Sequence, residues 1–472
     1  MRSKLQKFTA FTNTLLPHET QYLLSVQQFH DEERLAILQR IDHNAHHIDQ
    51  FTAYDTGVDK RKYNHLKNWI AERLSAIDVD QRLSWMLETE QKILTDRIDR
   101  EAEKKLLKMI RSDQQGVFFN SFYELVQHYR HFLLIRLRYQ DHQLVDEFLR
   151  RNQEAYEQSR AIYEQIHKAT IDIVGQYQSQ DAESQQWEAW LTEVFYNESL
   201  DIYLRHLALV RLTFLCYNYR KYDILQEKFD YLEEQFLQGK YYSRRLLLNF
   251  YNSLLMLNSH YRDYEQAVHY GYLSIRVQNH DYPLYVNNLC AVLLRLKRHE
   301  EALQLMQNAA SAVKKTSNFH NRVGFVAFYM EALNRNQKYQ NAESYGDNFL
   351  RAYSKEVLRY RWHLFFSVYL EALILQEAYL KVIKTAQKYR LLQRDKKYER
   401  NASYQATIPL LIGLARYKEV QINKKEFVSL IERYAARSRN SEQENRFQQL
   451  LTSIETWAPE LHRALRQLNG AH

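Results

Sequence analysis

Apolar residues recur three and four positions apart along almost the whole chain, the spacing of one face of an α-helix. The cleanest example is 83–110, where Leu83, Met86, Leu87, Leu94 and Ile98 lead on to Leu106, Leu107 and Ile110. Start signals accompany the pattern. Pro17 suits a first helical turn, and Glu19 places an acid near the positive end of that helix. Asp141, Ser199 and Asp263 read as N-caps. Breaks fall near 52–58, 112–116, 179–182, 239–240, 280–283, 316–319, 395–400 and 439–441. About eighteen helices and no strand are expected.

One local pattern recurs in the second half. A basic-polar turn leads to an aromatic, and a small residue follows three positions later. It reads Arg262-Asp263-Tyr264 with Ala267, Lys297-Arg298-His299 with Ala302, and Gln337-Lys338-Tyr339 with Ala342. Weaker copies surround Tyr222 and Tyr379, so the aromatic sites are 222, 264, 299, 339 and 379, with spacings of 42, 35, 40 and 40. A unit of that length is one helical hairpin. The alanines let its two helices cross closely, and each hairpin leaves an apolar face that a neighbour must cover.

These residues resemble the tetratricopeptide repeat (TPR) family. The best unit is 283–314, where Asn288-Leu289-Cys290 stands where that family has Asn-Leu-Gly, and Ala302 and Ala309 fill two small-residue sites. Gly271 and Gly346 depart from it at a site usually aromatic, Phe349 at one usually small, and the spacing is nearer 40 than 34. The resemblance covers 200–395, is weak for 117–199 and is absent from 1–112. It implies a right-handed superhelical α-solenoid whose concave groove binds a protein or peptide; with 1–112 read from its shorter, more polar helices as a separate N-terminal helical subdomain, the expected fold is all-α. The expected division is 1–112 (N-terminal helices), 113–200 (degenerate repeats), 201–395 (TPR-like repeats) and 396–472 (C-terminal capping helices). Laid onto this sequence, the resemblance places Asn249, Asn252, Asn287, Arg295, Glu331, Asn334 and Arg335 on the inward face. The family's carboxylate-gripping lysine has no counterpart, since Val210, Asn252, Asn287, Ala327 and Ser367 occupy the matching positions.

Composition agrees with helices joined by short turns. Only 9 Gly and 4 Pro occur in 472 residues, against 36 Tyr, where roughly 12% Gly plus Pro is average. Sandwiches, barrels and Gly-looped nucleotide folds are thereby disfavoured. The net charge of +8 is mild for this length. Cys216 and Cys290 lie in apolar surroundings, as reduced thiols of a cytoplasmic protein would. Lys4, Gln6, Lys7 and Asn13 interrupt any signal-peptide core, and no stretch nears 18 apolar residues, so neither secretion nor a membrane span is expected.

Catalytic motifs are absent: there is no P-loop, dinucleotide fingerprint or nucleophile elbow, so no enzyme and no cofactor is expected. His43 with His46 or His47 has helical metal spacing, but no third ligand is identifiable, and a solvated polar face is the expectation there. The second candidate surface is a basic strip over 380–400. Lys381, Lys384, Lys388, Arg390, Arg394, Lys396, Lys397 and Arg400 stand against Asp395 and Glu399, eight minus two or +6, with Tyr389 and Tyr398 interleaved. With Lys60-Arg61-Lys62 it supports a rival reading, a nucleic-acid-binding regulator, although 1–112 shows no helix-turn-helix. A third reading is a peptide-sensing regulator in which groove occupancy shifts the superhelix.

Overall fold

Twenty-four α-helices and two short 3-10 segments make up the regular structure of the computed structural model, and no strand occurs among the described residues, which are 5–48, 50–112, 117–179, 182–399, 404–435 and 441–462. The protein is all-α. Two compact units divide it, Met1–Leu257 and Asn258–His472. The first holds α1 (Gln6–Thr12), α2 (Pro17–Val26), α3 (Glu32–His46), α4 (Lys60–Ile77), α5 (Val79–Leu94), α6 (Arg100–Ser112), α7 (Phe119–Ile135), α8 (Tyr139–Arg151), α9 (Gln153–Ser179), α10 (Trp187–Tyr196), α11 (Ile202–Tyr219) and α12 (Tyr222–Leu237). The division falls within α13 (Arg244–His260). The second holds α14 (Tyr264–Ser274), α15 (Tyr282–Arg295), α16 (His299–Val313), α17 (Phe319–Arg335), α18 (Tyr339–Arg359), α19 (Trp362–Ile374), α20 (Tyr379–Lys388), α21 (Leu391–Tyr398), α22 (Thr407–Lys418), α23 (Lys424–Ala435) and α24 (Ser441–Trp457).

More helices form than the spacing predicts, because left-handed residues cut periodic runs in two. The run 83–110 is broken by Thr95 to Asp99, where Asp96 takes φ 55 and Asp99 accepts the amide of Ala102 at 2.9 Å. Leu94, expected on the apolar face, is 62% exposed. Asp263 caps α14 as expected, and Glu19 accepts the amide of Leu16 at 2.9 Å to close the start of α2. Asp141 and Ser199 do not cap. Asp141 lies inside α8 and pairs with Arg138, and Asp201 caps α11 in place of Ser199. The linker residues 113–116 lie outside the described residues, as do Arg400 and parts of the expected breaks at 179–182 and 439–441.

The same turn recurs through the chain. Asp96, Leu137, Arg220, Arg262, Lys297, Gln337, Glu377 and Val420 all have φ between 55 and 65. In each case the following amide bonds the carbonyl five residues back, as in Arg298 to Leu293, Lys338 to Leu333 and Ala378 to Leu373, each at 2.9 Å. This is the Schellman closure, which satisfies the last carbonyls of a helix. Glycine is its usual left-handed residue, yet none of the eight is glycine. In six of the eight, all but Asp96 and Val420, the next helix starts two residues later, so positions 222, 264, 299, 339 and 379 each open a helix, and Tyr139 opens α8 after the same turn. Substituting Gln337→Gly should raise stability by about 0.5–1 kcal/mol through relief of the left-handed Cβ clash, read as an increase in the unfolding midpoint.

Within the second unit the hairpins stack in order. α15 packs on α16 and α17, α17 on α18 and α19, and α19 on α20 and α22. A repeated side-chain bond ties successive hairpins. Asn336 Nδ2 donates to His299 O at 2.8 Å, and Gln376 Nε2, one 40-residue step on, donates to Tyr339 O at 3.3 Å. Gly346 allows close approach here: a Cβ would lie 2.6 Å from Met330 Sδ and 2.7 Å from Tyr369 Cδ2. The interior tyrosines are not the turn tyrosines. Tyr251, Tyr285 and Tyr369 are fully buried on the first helices of hairpins, whereas Tyr222, Tyr264, Tyr339 and Tyr379 are half-buried.

In the first unit the N-terminal helices are seated on later ones, with α2 packed against α12. Glu19, 1% exposed, accepts from Tyr242 Oη at 2.6 Å and from Arg244 Nε and Nη2 at 2.9 and 3.0 Å. His18 Nδ1 lies 2.7 Å from Tyr251 Oη, and Arg245 pairs with Asp80 at 2.8 Å.

Candidate partner-binding face

The inward positions named from sequence divide into asparagines, two of which staple neighbouring helices, and charges that range from half-buried to exposed. Asn249 and Asn252 lie on α13, half-buried and 8% exposed respectively. Asn287, 1% exposed, donates Nδ2 to Asn321 O of α17 at 3.0 Å. Asn334, 3% exposed, donates Nδ2 to Val368 O of α19 at 3.2 Å. A helical carbonyl keeps a second lone pair after its own helix bond, and these amides take it up. Asn287 and Asn334 therefore join one first-helix to the next, with their Oδ1 atoms buried and unbonded.

The charges form a ladder. Arg335 Nη1 lies 2.9 Å from Glu371 Oε1, and its Nη2 lies 3.7 Å from Glu331 Oε1. Burial pushes both glutamates above the usual carboxylate range against the pull of Arg335, and Glu371 raises Glu331 further. Burial works against the Arg335 cation, but the two acids outweigh it and raise its pKa. Two carboxyl groups thus share one guanidinium. Arg295 holds the position of Arg335 one hairpin earlier. It is exposed, and among the described residues it bonds only Ser259 Oγ, at 2.9 Å. Glu371 was not among the positions read from sequence, although it lies 40 residues after Glu331, the hairpin step itself.

The basic strip spans α20 and α21. Lys381 is held by Glu343 Oε1 at 2.5 Å and Asp347 Oδ2 at 2.7 Å. Lys384, Lys388, Arg390, Lys396 and Lys397 are exposed, and Arg394 is half-buried. The two interleaved rings are already packed. Tyr389 lies 5.3 Å from Phe366, and Tyr398 lies 5.7 Å from Trp362 and 4.8 Å from His363. Stacking on bases would need those rings to leave their neighbours. On α3, His43 and His47 stack at 4.3 Å while His46 Nδ1 bonds Asp42 O at 2.9 Å. Among the described residues no group of three or more His, Cys, Asp or Glu is placed to hold a metal ion, and no helix is long and apolar enough to cross a membrane.

Scans against protein-family models, curated proteins and solved structures each return no match.

Proposed function

We propose that the chain is a TPR-like, right-handed α-solenoid that acts without catalysis as a cytoplasmic scaffold, holding a partner protein or peptide along α15, α17 and α19. The observation carrying this reading is the ladder in hairpin register: the unpaired Arg295, then Glu331, Arg335 and Glu371. A segment lying across successive first-helices would meet one cation and then an acid pair. It could answer both with its own side chains and backbone amides. The shared hairpin turn supports the repeat reading, and Cys216 and Cys290, both buried free thiols, fit a reducing compartment. Burial pushes Cys216 up to about 11, so it stays protonated and unreactive at neutral pH.

The test is affinity capture with and without nuclease, repeated with Arg295→Glu. Nuclease-resistant partners whose retention falls about tenfold or more in Arg295→Glu, with an unchanged unfolding midpoint, are the expected result. Loss of every partner on nuclease treatment would transfer the function to the exposed lysines of α20 and α21.

A further inference from the structure

The first unit contains a cleft that the scaffold reading does not use. Its volume is about 590 Å³, within the usual range for small-ligand sites. Arg82 of α5, Ser159 of α9, Arg205 of α11, Gln235 of α12 and Lys240 line it. Three of these five are cations.

Neither Arg82 nor Lys240 has a carboxylate partner among the described residues, and burial lowers the pKa of Arg82 with no acid opposing it. Arg205 is the most unusual of the three. It is 5% exposed, and a buried guanidinium normally sits against a carboxylate. Here Nε donates to Phe195 O at 2.9 Å and Nη2 to Tyr231 Oη at 2.7 Å. The remaining cation rests near the rings of Tyr231 and Tyr241, at 5.9 and 5.5 Å. Nη1 has no hydrogen bond among the described residues. Ser159 is 4% exposed, and its Oγ is buried with no hydrogen-bond partner.

Two acids also border the cleft, and both are committed elsewhere. Glu198 accepts from Tyr231 Oη at 3.1 Å. Asp201 accepts the Leu204 amide at 2.9 Å as the cap of α11, and burial pushes it up to about 6, still below neutral pH, so it keeps its negative charge there. The lining thus carries three positive groups against two negative ones, a formal excess of one positive charge, and both acids already accept hydrogen bonds from the protein.

We propose that this cleft binds a small organic oxyanion, a phosphate ester or a polycarboxylate, gripped by Arg82, the Nη1 of Arg205 and Lys240, with Ser159 Oγ as a further hydrogen-bond donor. The planar guanidinium forks match the oxygens of either group, and charge-assisted bonds are the strong ones in a half-enclosed site. No bond to the ligand is made or broken, so the site senses or stores the anion.

Isothermal titration of the full chain with pyrophosphate and, separately, citrate tests this. Saturable binding of at least one probe is expected, weakened roughly tenfold for each lost contact in Arg82→Gln and in Lys240→Gln. Neither replaced side chain has a carboxylate partner among the described residues, so folding is expected to survive, and an unchanged circular dichroism melt checks it. The probe that binds more tightly identifies the phosphate or the carboxylate class. Heat-silent titrations with both probes up to about 10 mM, or binding that both variants leave unaltered, would overturn the assignment.

Discussion

Glu19→Ala should destabilise the first unit by about 3 kcal/mol and loosen α2 before the rest unfolds. The carboxylate is 1% exposed and answers four donors: the amide of Leu16, the hydroxyl of Tyr242, and both Nε and Nη2 of Arg244. Removing one member of a buried pair leaves the other charge desolvated and unanswered, which costs about 3–5 kcal/mol. The lower end applies because the Arg244 side chain is 32% exposed and can recruit water. Burial, and next the Glu19 charge, hold the Tyr242 hydroxyl protonated well above its ordinary range, so its proton also loses its acceptor. Hydrogen exchange read segment by segment should show α2 amides losing protection, with an earlier first transition in urea. Unchanged protection of α2 would mean that apolar packing, not this ion pair, seats the N-terminal helices. Such local unlocking is a more direct readout than a global midpoint in a chain with two compact units.

Acidification should expose a second weak point, at His206 in α11. Its Nδ1 is buried with no hydrogen-bond partner. Burial, helped by Arg245 and Arg211 and opposed by Asp80, lowers its pKa from 6.5 to about 4. A depressed folded-state pKa means that the unfolded chain takes up the proton first as pH falls. The stabilisation is therefore complete above about 6.5 and is lost as pH drops toward 4. At 1.36 kcal/mol for each pH unit the loss approaches 3 kcal/mol, and about 2 kcal/mol is the better figure because the ring is partly exposed. His206→Gln removes this titration, so the urea midpoint of the parent should fall relative to that of the variant as pH drops from 7 to 4. Parallel pH profiles would show that His206 is solvated.

The helical class was legible because a 3.6-residue apolar period needs only local information, and the hairpin step was legible because turn and aromatic recur together. The five aromatic sites found from that recurrence all open helices. Tyr139 follows the same turn without showing the pattern, since the position three residues on is His142 rather than a small residue. The break at Asp96 is not legible in the sequence, because a left-handed residue that is not glycine leaves no compositional mark. Of the inward positions, Arg295, Glu331 and Arg335 carry exposed or half-exposed charge, while Asn287 and Asn334 turn their amides to the neighbouring helix. An asparagine's register on a helix is readable, but the carbonyl it will meet belongs to a residue 34 positions away.

The shortage of glycine and proline and the repeating turn were enough to determine an all-helical chain of short-linked hairpins, because helix periodicity and turn chemistry are encoded within a few residues. Which charges meet was decided only by the tertiary structure. Glu19 reads in sequence as an ordinary first-turn acid, yet it meets Arg244 from 225 positions away. Arg82, Arg205 and Lys240 come to line one cleft although nothing local links them. Long-range pairing depends on how helices are brought side by side, and burial then sets the strength of each pair by removing the water that would have screened it.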